Sequence, residues 1–413
     1  MALNKEKAAK KQLVGVLIDI GNSETRVRVK YRPIKGIGNE RDALECTFAV
    51  SNHYAGLLGS YAISPDYMNE GTTIIDINGV RIAHGELVAR EFVNADETPS
   101  GKRDKSAEPI TNWTLQLILI KTIHLLASHW GISPESVDVA FAVYCLLPPE
   151  EHAYNKDAML KLIEDIDEVT EHVPVGDGVT YREVTYPILY SDIQAYPEGI
   201  SAFFGIRVNI QGNKLIPNKD VAKYMRGYVL VIDVGAGTTD LAIMQDGILK
   251  ADSRLSIADA GNHIVSALQR NVKMNPRLRG KIKLGISNID SVMKEAMIRE
   301  GDGLIEEDCA TELNDAKAEL ASALANQIRT YANSLNVISM VKGILVVGGA
   351  NTEAVRDGVV VSPALETFLI PKIKAFAEMA ELIEIRNRDP RYLNLDGLES
   401  IFISTMSKEA ANA

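Results

Sequence analysis

Aromatic side chains make up only 6% of the 413 residues, tryptophan occurs twice, and there are three cysteines. Cys46, Cys145 and Cys309 are far apart and lack metal-ligand spacing. That excludes a disulfide scaffold and a cysteine-held zinc site. Cys46 and Cys145 lie in apolar strand-like runs and read as buried thiols of a cytosolic protein. The histidines, His124, His129, His152, His172 and His263 among them, show no ligand spacing either. No uninterrupted apolar run is long enough to span a bilayer. The nearest, Thr114 to Ser128, is broken by Gln116, Lys121 and His124, falls short of a span, and reads as a core helix. Met1 to Gln12 carries four lysines with no apolar core behind them, which predicts no secretory signal and a disordered, solvated tail, with a basic arm touching DNA or membrane as the alternative. An excess of positive charge is also missing. The net charge is −11, so the body of the protein is poorly suited to gripping DNA directly.

What the chain does have is a globular composition, 46% apolar and 24% charged, and length for two domains. The segment Tyr228 to Met244 is the most telling. Val229 to Ile232 is an apolar run ending in Asp233. Gly235, Gly237, Thr238, Thr239 and Asp240 follow, and a second apolar run starts at Leu241. This predicts a β-hairpin with a tight turn. Glycines there let backbone N–H groups approach an anion, and the acid suits a hydrated cation. The pattern also occurs earlier. Val14 to Ile20 runs through Asp19, Gly21, Asn22, Ser23 and Thr25 into a second strand. Each copy alone also suits a plain turn; two copies in one context suggest hairpins gripping a phosphate chain. A third element, Lys342 to Asn351, is a strand ending in Gly348 and Gly349, followed by Ala350, where a ring or sugar fits against bare backbone; by itself it equally suits a plain strand-to-helix turn.

Between these landmarks, strands are expected at 44–50, 72–77, 80–84, 137–145 and 179–185. Helices are expected at 111–130, 155–168, 193–204, 259–270, 288–299, 311–335 and 363–381, and again near 394–402. The polar stretch 94–109 reads as a surface loop and equally as a contact loop between subunits. Pro197 suits the first turn of the 193–204 helix, and the N-terminus of the 259–270 helix suits an anion. Arg277, Arg279, Lys281 and Lys283 form a basic cluster suited to a solvated face or an acidic partner.

Taken together, the two Asp-ended hairpins and the Gly-Gly turn resemble the actin/Hsp70/sugar-kinase superfamily, and within it the ParM-type bacterial actins that segregate plasmids. Val137 to Tyr154, with its Leu-Pro turn and following acids, and Val184 to Phe203, with its Pro-Glu turn, strengthen the ParM likeness. The resemblance implies an α/β fold of the actin-like ATPase type: two related domains, mixed sheets flanked by helices, and a nucleotide cleft between them. It implies a domain I over 13–204, with a smaller subdomain near 33–110, completed by 383–413, and a domain II over 205–382.

The resemblance also implies roles. Asp19 and Asp233 would bind Mg²⁺, mainly through water. Gly21, Asn22, Ser23 and Thr25 would hold phosphates from one side, and Gly235, Gly237, Thr238, Thr239 and Asp240 from the other. Gly348, Gly349 and Ala350 would contact the adenosine, with Gly261 near the nucleotide and Lys294 or Lys317 in the base pocket. Glu198 would position or deprotonate the attacking water, with Gln194 as the alternative; Glu198 also suits a plain helix-start acid. The implied protein is a cytoplasmic ATPase, with GTP possible as its nucleotide, that polymerises and moves plasmid DNA through a DNA-bound adaptor, without membrane contact. A non-segregating bacterial actin and a soluble phosphotransferase or ATPase on the same fold remain the alternatives. The lack of a further domain after the ATPase region argues against an Hsp70-type chaperone.

Overall fold

The computed structural model describes residues 7–8, 10–21, 24–33, 41–51, 53–57, 73–77, 80–85, 96–97, 104–175, 180–212, 214–250, 252–279, 292–300, 305–385 and 388–412. The chain divides into two compact units. The first comprises Met1–Pro99, Arg103–Leu147 and Glu151–Tyr196; the second comprises Ser100–Lys102, Pro148–Glu150 and Pro197–Ala413.

In the first unit, β1 (Gln12–Ile20), β2 (Glu24–Tyr31) and β3 (Leu44–Ser51) form an antiparallel series. The strands β4 (His53–Leu57), β5 (Thr73–Ile77), β6 (Val80–His84) and the short β7 (Asp96–Glu97) belong to a second sheet. Helix α1 (Pro109–Trp130) leads to β8 (Val139–Leu147), which lies parallel to β1. Then come α2 (Pro149–Glu164), β9 (Glu168–Val175), β10 (Thr180–Pro187) and β11 (Tyr190–Pro197). The first sheet runs β11-β8-β1-β2-β3 and the second β10-β9-β5-β6-β4-β7. Val14, Val16, Ile18 and Ile20 on β1 alternate onto one core with Leu115, Ile118 and Leu126 of α1.

The second unit starts with α3 (Ile200–Ile206) and a small hairpin, β12 (Val208–Gln211) and β13 (Lys214–Pro217). Its main sheet is built on β14 (Tyr228–Val234) and β15 (Thr239–Gln245), with β16 (Ile248–Leu249) and β17 (Leu255–Ile257) both pairing with β15. Then follow α4 (Gly261–Met274), the pair β18 (Met297–Glu300) and β19 (Ile305–Asp308), α5 (Ala310–Ser334) and β20 (Val341–Val347). The chain continues with the pair β21 (Ala354–Arg356) and β22 (Val359–Ser362), α6 (Leu365–Lys374), β23 (Glu381–Leu382) and α7 (Leu393–Asn412). β20 lies parallel to β14, as β8 does to β1. Both units thus repeat one plan: an antiparallel hairpin whose first strand takes a parallel neighbour delivered by a long helix.

Helices cover both faces of the second unit's sheet, which is why β14 reads as an unbroken apolar run. Leu230, Ile232 and Val234 pack with Ile264, Leu268, Leu320 and Leu324 from α4 and α5. Val229 and Val231 face the other way, onto Ile200 and Phe203 of α3 and Leu393 of α7.

Several expectations change. The helix expected over 193–204 is strand through Pro197 and becomes helix only at Ile200, because Gly199, at φ 66°, turns the chain in between. Of the 288–299 helix, residues 288–291 lie outside the described residues, 292–295 are helical, and Met297–Glu300 is strand, held by pairing to Ile305–Asp308. Residues 383–413, assigned from sequence to the first unit, cluster with the second, since α7 packs on α3. Gln12 begins β1, and Lys11 pairs with Asp138, so the tail ends earlier than expected. Of the 94–109 loop, residues 96–97 pair with β4, 105–107 form a 3-10 turn, and 98–103 lie outside the described residues. Helix α1 spans 22 residues and is long and apolar enough to cross a membrane by length and composition, contrary to the shorter stretch expected. It is mostly buried in the unit's core. Cys145 and Cys309 are buried, but Cys46 is only half-buried at the sheet edge; burial pushes the Cys309 thiol up to about 12.

Candidate nucleotide site

In the first unit the ladder pairs Asp19 with Arg26 and Ile20 with Thr25, so Asp19 ends its strand beside the turn. Asp19 is buried, and Arg26 Nη1 lies 3.9 Å from its Oδ2. Thr25 is fully buried. Gly21 begins the turn, while Asn22 and Ser23 lie outside the described residues. Sequence reasoning missed Lys105. Its buried ammonium donates to the carbonyl of Ile20, at the exit of the Asp19 strand. Beside it, Glu151 Oε1 accepts the Ser106 N–H at 3.0 Å, and Oε2 is buried with no hydrogen-bond partner among the described residues. Burial pushes the Glu151 carboxyl up, against the pull of Lys105. A lysine in a polar loop carries no local signal that it will reach a strand end.

In the second unit the same geometry recurs. Asp233 pairs with Asp240 and Val234 with Thr239, and all but the flanking turn is buried. Gly235 N–H donates to the Thr238 carbonyl at 2.9 Å, closing the turn. Helix α4 docks onto it: the N–H groups of Gly261 and Asn262 donate to the carbonyls of Gly235 and Ala236 at 2.9 and 2.7 Å. Those first amides of α4 are therefore engaged with the turn, where the sequence suggested an anion seat. Thr239 Oγ1 donates to the Asp259 carbonyl at 2.6 Å, and Asp240 accepts from Ser256 and, at 3.4 Å, from Thr238 Oγ1. Gly237 completes the turn.

The Gly-Gly turn comes to the same place. Ala350 N–H donates to the Val234 carbonyl at 3.0 Å, and Gly348 lies against Asp233. A Cβ on Gly348 would stand 2.5 Å from Asp233 Oδ1 and 2.5 Å from the Val234 carbonyl oxygen, and its φ of 95° is a glycine conformation. Gly349 follows in the same turn. Asn394 of α7, which sequence reasoning also missed, donates through Nδ2 to Asp233 Oδ2 at 2.7 Å. Its Oδ1 accepts the Gly199 N–H at 2.9 Å.

Glu198 occupies the turn before α3, half-buried, and its carbonyl accepts the Ile200 N–H at 2.6 Å. Gln194 is on β11 and donates its amide to Asp192 Oδ1 at 3.0 Å. Lys294 is exposed on the helical stretch 292–295, away in sequence from these turns. Lys317 is fully buried on α5 and donates to the carbonyls of Thr352 and Pro363 at 3.0 and 2.8 Å; burial lowers its pKa to about 8. It ties the segment after the Gly-Gly turn to α5 through these two main-chain carbonyls. Among the described residues, no three histidine, cysteine or acidic side chains gather as a metal cage. Single buried carboxylates at strand ends are hard oxygen donors, which suits an ion that keeps most of its water shell, as Mg²⁺ does.

Two units repeating an Asp-ended hairpin with a parallel neighbour define the actin-like fold. Solved structures bear this out across nearly the full chain. The actin-like protein Alp7A matches with a TM-score of 0.65 at 16% identity, over 97% of this chain and 98% of that one. Ta0583, an archaeal actin homolog, matches at TM-score 0.60 and 13% identity, over 95% and 99%. ParM of Bacillus thuringiensis, solved with ATP, matches at TM-score 0.57 and 16% identity, over 96% and 100%. No protein-family model matches the chain. No curated protein matches it by sequence.

Proposed function

We propose that this chain binds and hydrolyses ATP with Mg²⁺, assembles into dynamic filaments in the cytoplasm, and moves plasmid DNA through a DNA-bound adaptor. One observation carries the reading: each unit holds a buried acid, Asp19 or Asp233, at the same place in the same hairpin plan. Duplicated phosphate-binding turns are what a nucleotide's phosphate chain calls for. The ParM structure solved with ATP supports the choice of nucleotide.

In this reading, Asp19 and Asp233 hold Mg²⁺ through its water, and the ion supplies charge neutralisation at the phosphates. Backbone N–H groups of the two turns and the hydroxyls of Ser23, Thr25 and Thr238 take phosphate oxygens. Gly348, Gly349 and Ala350 present bare backbone to the adenosine. Glu198 orients the attacking water and accepts its proton. Gln194, whose amide N–H donates to Asp192, is the alternative. The acidic balance of the chain, −11, supports an adaptor over direct DNA contact.

Light scattering and phosphate release followed together, with electron microscopy of the same sample, test the proposal. Filaments that appear with Mg-ATP and shorten as phosphate accumulates are the expected result. Glu198→Ala should keep nucleotide binding, slow phosphate release by about 10²-fold or more, and leave persistent filaments. Turnover without polymer at any concentration would replace this reading with a soluble ATPase or phosphotransferase. Filaments with no response to an adaptor and its DNA would favour a non-segregating actin.

A further inference from the structure

Asn394 sits on α7, more than 160 residues along the chain from Asp233, yet its side chain is buried against that acid. Both ends of its amide are used. Nδ2 donates to Asp233 Oδ2 at 2.7 Å, and Oδ1 accepts the Gly199 N–H at 2.9 Å. The surroundings fix the amide's orientation. Turned over, it would set an N–H against an N–H and an oxygen against a carboxylate. Gly199 directly follows Glu198, so one side chain ties the acid of the hairpin to the turn that carries the proposed water-positioning residue.

The backbone brings it there. Gly397, one turn further along α7, lies against Ser201 of α3 with no room for a Cβ. Gly199 packs on Asp233 in turn: a Cβ there would stand 3.4 Å from Asp233 Cβ. Asparagine is also the side chain suited to the task. Alanine reaches neither group. Aspartate keeps the acceptor for Gly199 but places oxygen against oxygen at Asp233.

We propose that Asn394 is a positioning residue for hydrolysis: it aims the Asp233 carboxylate and holds the Glu198 turn in register with it, so that α7 sets the geometry of the site. The inference rests on the reading of Asp233 and Glu198 given above. It implies that the C-terminal helix communicates with the nucleotide, since a shift of α7 on α3 moves both groups together.

The test is single-turnover phosphate release and fluorescent-ATP binding for the full chain, Asn394→Ala and Asn394→Asp at neutral pH, with melting curves alongside. Asn394→Ala should slow hydrolysis by roughly 10-fold or more, the scale of a hydrogen bond to a charged group, with a smaller change in nucleotide affinity. Asn394→Asp, which keeps the acceptor for Gly199 but sets oxygen against oxygen at Asp233, should be slowed at least as much. Wild-type rates in both variants would overturn the proposal. Slowing matched by an equal loss of nucleotide affinity and by a fall in melting temperature would also overturn it and leave Asn394 as a helix tether. If the unaltered chain itself shows no turnover, the functional reading fails first and the inference with it.

Discussion

Gly205 of α3 and Gly397 of α7 meet backbone to backbone: a Cβ built on Gly205 would stand 2.8 Å from the Gly397 nitrogen. A Cβ on Gly397 would overlap the Ser201 carbonyl. The pair lets two helices approach closely enough for Asn394 to reach Asp233 at the end of β14. Packing this tight cannot absorb a methyl without moving a helix.

Gly397→Ala is therefore expected to destabilise the second unit by roughly 1–3 kcal/mol, the usual cost of overpacking. Urea unfolding of the variant measures it. An unchanged midpoint would mean that α7 can shift freely on α3.

Gly348→Ala combines two penalties. The residue has φ 95°, and its new Cβ would collide with Asp233 Oδ1 and the Val234 carbonyl. Backbone strain alone costs about 1–3 kcal/mol. The collision also displaces Asp233, so Mg-ATP affinity should fall as well as stability. Calorimetric titration of a still-folded variant that binds Mg-ATP as the parent does would detach the Gly-Gly turn from the site.

A pH dependence resides in the first unit. His124 Nε2 lies 2.6 Å from Glu171 Oε1, and Tyr186 donates to the same oxygen. The bond to Glu171 holds the imidazolium pKa above the ordinary histidine value, against the opposing effect of burial. Because the folded value is raised, the pair's contribution is complete below the unfolded pKa of about 6.5 and is lost as pH rises through the folded value. Thermal unfolding should show the parent losing stability relative to His124→Gln as the pH climbs from about 6 through the folded value. Parallel curves for the two proteins would rule the pair out as a titrating contact.

How far the sequence discloses this molecule depends on the distance between partners. Both hairpins, the Gly348 turn and the long helices at 111–130 and 311–335 are legible because strand, turn and helix signals are local. The element at 190–197 is harder. Ile193 and Ala195 alternate as a strand requires, but Pro197 and Glu198 imitate a helix start, and the actual start comes after Gly199. Met297–Glu300 looks helical until Ile305–Asp308 pairs with it. Lys105 and Asn394 have no local signature at all. Their roles come from contacts with Ile20 and Asp233, which only the fold brings near.

In the proposed function, both Asp-ended hairpins serve one nucleotide. Mg-ATP turnover by Asp19→Ala and by Asp233→Ala, each compared with the parent at equal protein concentration, tests it most directly. Each substitution alone should lower turnover by about 10²-fold or more, while each variant keeps its folded spectrum. Parent-like turnover in either variant would contradict the account, since one hairpin would then suffice.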